Sequence, residues 1–543
     1  MRGSEPRATA ARQGSGAISG QCDLRSFVGA LERAGELRRW SSPVSLRDAG
    51  RLIESCDQAL LIERPQGCAM PILANAMATR RRWALAFGVA PEELRAELGR
   101  RTQVLIPPVR VGDGPVKEVV RTGDQADLTV LPAYLQHELD GGVYISAALD
   151  VTKHPETGRF NTGVRRLMVR GPRETGIDAV APSDMRAYYR RARELGRRFE
   201  IAFVIGAHPL DYMATQMKVE TDDEFEIMGG LRGEPVPLVR CETVDLWVPA
   251  DAEIVLEGAL EGDWTEVEGP FGEYTGCYGA AHFNPVFKVS AITHRHDAIF
   301  QTATIGGRHL HHTDTAAITA LRTELLVWES VSRAVAEPIQ VYCPTAATGL
   351  HHVRIALRSR DPGDGRNAVV AAMASNAEIK MAIAVDEDVD IFDDHAIEWA
   401  IATRFQADRD VVVLPGMRTF PLDPSLPPHE GSAVTTAKLG IDATRRFDRP
   451  AHVFAIPRAP FEGGPVAAPA HPETRRAGVD DLAADLVASL PRGPRFVDWL
   501  IAFPEVHQGD IIRALGLLRE RDLVRVDTDG RYWPTAERGQ ATR

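Results

Sequence analysis

Residues 143–151 read Val-Tyr-Ile-Ser-Ala-Ala-Leu-Asp-Val, an apolar run of the length of a β-strand. Further strand candidates follow it, separated by Pro, Gly and Asp turn signals, at residues 166–170, 201–206, 252–258 and 287–293. Short strands with this punctuation predict a barrel or a sandwich-like sheet over residues 117–313.

The segments on either side of this β-rich region have α/β patterns. Residues 21–116 contain a helical period at 26–35 and a strand candidate at 104–109. Residues 314–449 alternate helices with apolar strands, which is typical of an α/β layer. The sequence therefore predicts an α/β (α+β multidomain) fold.

The two ends of the chain have different compositions. Residues 1–20 are rich in Arg, Gly and Ser without an apolar segment, which predicts a disordered start. Residues 450–472 are rich in Pro and Gly, as linkers are. Beyond them, residues 473–543 carry a helical pattern followed by a tight hairpin. This order predicts a winged-helix-like tail.

Bulk composition excludes several classes of protein. The chain has 543 residues, 44% of them hydrophobic, and a net charge of −12. That charge argues against nucleic-acid binding, which needs a basic face. No apolar run approaches the ~18 residues of a membrane span. The six cysteines form no CxxC pair, which favours free thiols in the cytoplasm.

Common cofactor fingerprints are missing from the sequence. It contains no GxGxxG after a strand, no GxxxxGK[ST], no HExxH and no GxSxG. A dinucleotide oxidoreductase, a P-loop enzyme and a serine hydrolase are therefore disfavoured.

The strongest positive signal is Glu268-Gly-Pro-Phe-Gly-Glu273. A tight bend between the two glutamates could bring both carboxylates to one point. Paired carboxylates in a cleft raise one pKa and give an acid that holds its proton near neutral pH. The alternative is a solvated turn with two surface acids, because Glu-Gly-Pro is common turn chemistry.

Other polar segments also allow two interpretations. Residues 161–166, Asn-Thr-Gly-Val-Arg-Arg, could place an arginine on a substrate carboxylate or form a hairpin turn with surface arginines. The acids of residues 221–226 suit a divalent cation but equally a solvated charge run. Those of residues 386–390 suit a structural role before a helix, and the histidines of residues 309–312 suit a pocket-lining loop.

Taken together and in order, these segments closely resemble the UbiD-type decarboxylases, which use prenylated flavin mononucleotide. The resemblance covers roughly residues 24–450. It also uses the Gly-Gly-Leu-Arg-Gly stretch at 229–233, Lys380 before the acidic run, and Ala-Lys-Leu-Gly-Ile-Asp-Ala-Thr at 437–444. The resemblance implies that the β-rich region is a split-barrel-like flavin-binding domain.

The resemblance assigns the catalytic set to Arg166, Glu268 and Glu273. Glu273 would donate the proton to the carbon that loses carbon dioxide. Glu268 and Arg166 would form an ion pair that orients the substrate carboxylate and tunes the acid.

The resemblance also implies a cofactor and metal site, with Mn²⁺ (or Mg²⁺) and a nearby K⁺ below the flavin phosphate. Cofactor-binding positions would be Asn161, Thr162, Gly163, Val164, Arg165, Arg166, Gln216, Met217, Glu224 and Lys380. Asn161 and Glu224 would be metal ligands. The family has a Gln-His pair where this chain reads Val-Ala-Pro-Ser-Asp at 180–184, so Asp184 is the expected oxygen-ligand replacement.

The implied reaction is non-oxidative, potentially reversible decarboxylation of an aromatic, heteroaromatic or α,β-unsaturated acid through a covalent adduct with prenylated FMN. An electrophilic cofactor accepts the electrons that carbon dioxide leaves behind, and a placed acid delivers the proton. A flavin prenyltransferase would supply the cofactor, and the chain would form a homodimer or higher homo-oligomer. The alternatives are a flavin-dependent oxidoreductase and a non-catalytic flavin-fold protein acting through its tail.

Overall fold

A computed structural model describes residues 22–179, 182–307, 313–427, 434–454, 457 and 477–535. Contacts along the chain divide it into two compact units, Met1–Arg446 and Phe447–Arg543. The predicted disordered start, the histidine-rich loop at 309–312 and most of the predicted linker lie outside the described residues.

The elements are numbered in chain order. The helices are α1 (Leu24–Arg33), α2 (Leu46–Glu54), α3 (Arg80–Phe87), α4 (Leu94–Arg101), α5 (Asp184–Glu194), α6 (Pro209–Ala214), α7 (Phe225–Arg232), α8 (Asp314–Ala334), α9 (Asp364–Ser375), α10 (Asp394–Arg404), α11 (Val479–Ser489), α12 (Phe496–Ala502) and α13 (Gln508–Glu520). The strands are β1 (Leu37–Trp40), β2 (Ala59–Ile62), β3 (Ile72–Ala74), β4 (Val109–Arg110), β5 (Val119–Thr122), β6 (Tyr144–Lys153), β7 (Phe160–Gly171), β8 (Glu174–Ile177), β9 (Phe199–Ile205), β10 (Pro237–Arg240), β11 (Trp247–Pro249), β12 (Ile254–Glu268), β13 (Phe271–Gly272), β14 (Tyr278–Gly279), β15 (His282–His294), β16 (Phe300–Gln301), β17 (Pro338–Tyr342), β18 (His352–Leu357), β19 (Met381–Asp386), β20 (Val411–Arg418), β21 (Thr435–Asp442), β22 (Val524–Val526) and β23 (Tyr532–Pro534).

A closed barrel forms the centre of the first unit. Its strands run in the order β12-β9-β6-β7-β8-β15, and β12 pairs with β15 to close the ring, with β5 added on β15. The closing pair approaches closely at Gly258, where a side-chain Cβ would overlap the carbonyl of Lys288 and where the register shifts. The expected barrel is confirmed, and it is built from longer strands than the sequence indicated.

Three sequence predictions need correction around the barrel. The strand expected at 104–109 is wrong, because only Val109 is extended into β4 and the preceding prolines lack the N–H that a sheet requires. The strand expected at 252–258 continues to Glu268. Residues 161–166, for which a hairpin turn was an alternative, lie inside β7.

The N-terminal region packs a small sheet in the order β1-β2-β3-β16. Its last strand, β16, comes from the end of the predicted barrel region and runs parallel to β3. The barrel segment therefore returns to the N-terminal layer before it enters α8.

The C-terminal part of the first unit is the predicted α/β layer, with a sheet in the order β17-β18-β19-β21-β20. The three central strands are parallel. The acidic run after β19 is structural, as expected, although not as a helix cap: Asp386 and Asp388 bind Arg404 of α10. Asp393 caps that helix instead.

The second unit contains α11, α12, α13 and the antiparallel hairpin β22-β23. Its core includes Leu486, Trp499, Ile511 and Leu518, all almost fully buried. A helix followed by a hairpin is the order predicted for the tail.

The helices and cysteines of the described residues bear on two further expectations. Within the described ranges, no helix has both the length and the apolar character needed to cross a bilayer. All six cysteines lie in those ranges, and each is a free thiol.

Candidate active site

One arginine binds both glutamates of the predicted motif. Arg166, on β7, donates from Nε and Nη2 to the two carboxylate oxygens of Glu268, at 2.9 and 3.0 Å. Its Nη1 donates to Oε1 of Glu273. All three side chains are buried. The structure thus brings together the three residues assigned to catalysis, with both carboxylates on the guanidinium of Arg166. Because both glutamates are buried, the alternative of a solvated turn with surface acids is wrong.

The Gly-Pro-Phe-Gly sequence between the glutamates shapes this contact. Gly269 has a φ of +93°, which favours glycine. Phe271 is fully buried, packs on Tyr144 with ring centroids 4.3 Å apart, and lies 4.8 Å below the guanidinium carbon of Arg166. A Cβ on Gly279 would lie 2.9 Å from the Glu273 side chain, so the glycine makes room for Glu273.

Burial and charge act in opposite directions on the acid. Burial raises the pKa of Glu273, and Arg166 lowers it; the net shift is upward. Asp178, whose Oδ2 lies 3.6 Å from Nη2 of Arg166, adds to the upward shift. Burial alone would lower the pKa of Arg166, but Glu273, Asp178 and Glu268 raise it well above its usual value. The arrangement combines a permanent cation with an acid suited to holding a proton.

A cavity of about 290 Å³ opens beside these residues. One wall comes from the barrel and the segments attached to it, including Val164, Arg165, Arg166, Asp178, Gln216 and Glu273. The other comes from the C-terminal α/β layer, including Thr315, Thr319, Arg322, Glu378 and Phe420. Its volume is close to the lower end of small-molecule sites, about 300 Å³.

The expected cofactor positions divide into two groups. Val164, Arg165, Arg166 and Gln216 line the cavity. The other positions do not line it: Met217 is in the core, and Gly163 lies against Asp150, where a Cβ would be 2.5 Å from a carboxylate oxygen.

Lys380 lies two residues after Glu378, which lines the cavity. Its Nζ is 2.8 Å from Oδ2 of Asp423 and donates to Oγ of Ser425 at 2.6 Å. It is not among the described residues that line the cavity. Its assignment to the cofactor phosphate stays a prediction.

The expected metal ligands are partly assembled. Glu224 accepts hydrogen bonds from Nδ2 of Asn161 at 3.1 Å and from the backbone N–H of Thr162 at 2.6 Å. Burial raises the pKa of Glu224, and the charge of Asp184 contributes to the same shift. Asp184 is the exposed first residue of α5. No cluster of three or more His, Cys, Asp or Glu side chains suited to a metal occurs in the described part of the chain.

Several residues at the site were not predicted from the sequence. Asp178 and the ion pair between Arg322 and Glu378 line the cavity, and Tyr274 and Phe420 place their ring centroids 5.8 Å apart beside it. These residues come from distant parts of the chain. Only Tyr274 carries a sequence signal, since it follows Glu273 directly.

Three family models match the chain along most of its length. They are described as the N-terminal, Rift-related and C-terminal domains of 3-octaprenyl-4-hydroxybenzoate carboxy-lyase, and they match residues 28–102, 108–309 and 316–443.

Individual relatives agree with these matches. The anhydromevalonate phosphate decarboxylase of Methanothermobacter thermautotrophicus is 31% identical over 78% of this chain and 96% of its own length. The UbiD-class enzyme HmfF from Pelotomaculum thermopropionicum, solved with FMN, is 34% identical with a TM-score of 0.76, covering 81% of this chain and 97% of that one. An evolved dimeric form of HmfF, solved with prFMN, is 33% identical with a TM-score of 0.70, covering 79% and 96%.

Proposed function

This chain belongs to the UbiD family of carboxy-lyases, and on that premise we propose that it decarboxylates an aromatic, heteroaromatic or α,β-unsaturated carboxylic acid with prenylated FMN as cofactor. The observation that carries the proposal is the Arg166 guanidinium, which holds two buried glutamates at the edge of a cavity. Such a set suits a reaction that needs carboxylate binding and one proton, and no external reductant.

The lining of the cavity fits a flavin. Arg165, Arg166 and Gln216 offer N–H donors, and a flavin presents ring acceptors and an anionic phosphate. When bound, the prenylated flavin supplies an electron-accepting centre for the carbon that loses carbon dioxide. The protein supplies orientation, exclusion of water and the proton.

Glu273 is the proposed proton donor. Its burial favours the neutral acid, which is the form able to donate. Arg166 can bind an anionic substrate carboxylate, while Glu268 fixes the orientation of its guanidinium through the two-bond contact. Because the carboxylate group of the substrate and the acid then share one guanidinium, the proton donor lies beside the carbon that loses carbon dioxide.

The proposal includes a cation, Mn²⁺ or Mg²⁺, held by Asn161, Glu224 and Asp184, with K⁺ nearby. Oxygen donors suit such hard cations. Asn161 would present its amide oxygen after the side chain rotates by half a turn, since amide orientation follows the hydrogen-bond partner. Glu224 already lies against Asn161 and Thr162, in the strand that leads to Arg166.

A flavin prenyltransferase is the proposed source of the cofactor, and self-association is the proposed quaternary state. For the latter, the dimeric form of HmfF offers a precedent in a relative. A flavin oxidoreductase is disfavoured, because it has no use for a buried acid pair on one arginine.

The test is production of the chain with and without a flavin prenyltransferase, followed by absorbance spectra and carbon dioxide release from a panel of aryl, heteroaryl and unsaturated acids. Release only from the co-produced protein, with a prenylated-flavin spectrum, supports the proposal. Bound prenylated flavin with no release from any panel member would contradict it.

A further inference from the structure

Residues 137–141, here called the clasp loop, bind the hairpin of β13 and β14 (residues 271–279), whose connecting loop begins with Glu273. The carboxylate Oδ1 of Asp140 accepts the backbone N–H of Gly272 at 2.9 Å. The N–H of Gly141 donates to the carbonyl of Pro270 at 2.8 Å. The N–H of Leu139 donates to the Tyr278 hydroxyl of the other hairpin strand at 3.1 Å. The loop therefore holds both hairpin strands, including the residue next to the proposed acid.

Asp140 is itself held by His137. Its Oδ2 accepts the backbone N–H of His137 at 3.0 Å and lies 3.1 Å from Nδ1 of the ring. The His137 ring also bonds the backbone of Gly306. A Cβ on Gly306 would lie 3.2 Å from the carbonyl oxygen of Glu273. His137 thus connects the two backbone segments that flank the Glu273 peptide.

The His137 ring is tightly packed against the hairpin. A Cβ on Gly272 would overlap the His137 ring. The ring meets Phe271 edge-on with centroids 5.8 Å apart, and Arg166 lies over that same phenylalanine. A shift of His137 would therefore disturb the ring below Arg166 as well as the backbone next to Glu273.

We infer that His137 and Asp140 are positioning residues that hold Glu273 and Arg166 at their working separation. The inference rests on the proposed function for its catalytic consequence. The carboxylate of Asp140 is fully buried. Its two oxygens accept three hydrogen bonds, from the backbone N–H and the ring Nδ1 of His137 and from the backbone N–H of Gly272. An amide has only one acceptor oxygen and cannot serve all three donors.

The test compares Asp140→Asn, His137→Asn and Gly272→Ala with Asp127→Asn. Asp127 is the matched control because its carboxylate also accepts a backbone N–H, that of Thr129 at 2.8 Å, and does not line the cavity. Hydrogen–deuterium exchange of the peptide containing Gly272 measures whether the clasp loop protects the hairpin backbone. The kcat and KM of the flavin-loaded enzyme measure the effect on catalysis.

Asp140→Asn is expected to speed exchange at this peptide and to lower kcat on the order of 10²-fold, because small displacements of catalytic groups have effects of this size. KM should change far less, as for an interaction used in the transition state. His137→Asn keeps a donor for Asp140 and should lose less activity, whereas the methyl of Gly272→Ala should displace the ring and lose more. The control should match the parent in both readouts.

Unchanged exchange at the Gly272 peptide, or unchanged kcat in folded variants, would overturn the inference. If Asp140→Asn does not fold, the other two variants decide between these outcomes. If the parent enzyme decarboxylates no acid, the proposed function fails, and the exchange measurement still decides whether the clasp holds the hairpin.

Discussion

Replacing Arg166 with lysine separates charge from geometry at the proposed active site. Lysine keeps the positive charge near Glu268 and Glu273, but its ammonium is a point charge without the planar fork of arginine. It cannot bind both oxygens of Glu268 and also reach Glu273 as the guanidinium does. We therefore expect Arg166→Lys to impair orientation while leaving the net charge of the cavity unchanged.

The magnitude follows from the bonds lost. Arg166 makes three charge-assisted hydrogen bonds to the two glutamates. Loss of one such bond costs about 1.5–3 kcal/mol. Since about 1.36 kcal/mol corresponds to a factor of ten in rate, kcat should fall by about 10- to 100-fold. A second lost bond would raise the cost to about 3–6 kcal/mol, and kcat would then fall by about 10²- to 10⁴-fold.

The assay is steady-state decarboxylation of the best panel acid by protein loaded with prenylated flavin, with occupancy matched by absorbance. Arg170→Lys is the control, because Arg170 lies on the same strand, contacts the carbonyl of Val267 and does not line the cavity. A kcat for Arg166→Lys equal to that of Arg170→Lys would refute the proposed role of the Arg166 guanidinium in orienting the two glutamates.

Three further expectations concern the acid and the metal. Glu273→Gln should abolish turnover and retain flavin binding, whereas Glu266→Gln, at an exposed acid on β12, should leave both turnover and flavin binding at the parent level; turnover of Glu273→Gln near the parent rate would remove Glu273 as the donor. Because burial raises the pKa of Glu273, its protonated form extends to higher pH, and kcat should fall as pH rises through that pKa; a kcat that increases with pH across this range would contradict the assignment. Asp184→Ala should lower the bound manganese measured by elemental analysis, relative to Asp480→Ala, which also removes an acid from a helix first turn; equal metal content would exclude Asp184 as a ligand.

The sequence predicted the residues of the site better than their contacts. Glu268 and Glu273 stand close in sequence around a turn, so their convergence could be expected. That Glu268 would pair with Arg166, about a hundred residues earlier in the chain, came only from the family resemblance, because strand pairing of β7 through β8 and β15 to β12 leaves no local pattern. The contact of Arg166 with Glu273 was not predicted.

Features fixed by distant pairing were not predictable. The two-residue strand β16 is too short to show a period, and it joins a sheet more than two hundred residues away in sequence. The run at 104–109 looked like a strand because of its apolar residues, and its prolines prevent the ladder. His137 and Asp140 lie in a loop whose function depends on contacts with the hairpin at 271–279, which no spacing rule describes.

Substitutions in the two walls of the cavity would have different effects, because only one wall carries the proposed catalytic residues. Arg166 on β7 and the acid Glu273 lie on the barrel side of the cavity, whereas Thr319, Arg322, Glu378 and Phe420 extend from the α/β layer. For protein engineering, this separates the residues proposed to carry out decarboxylation from residues that could select the substrate. A library confined to those four positions would alter the shape and polarity offered to a substrate ring while keeping every hydrogen bond between Arg166 and its two glutamates.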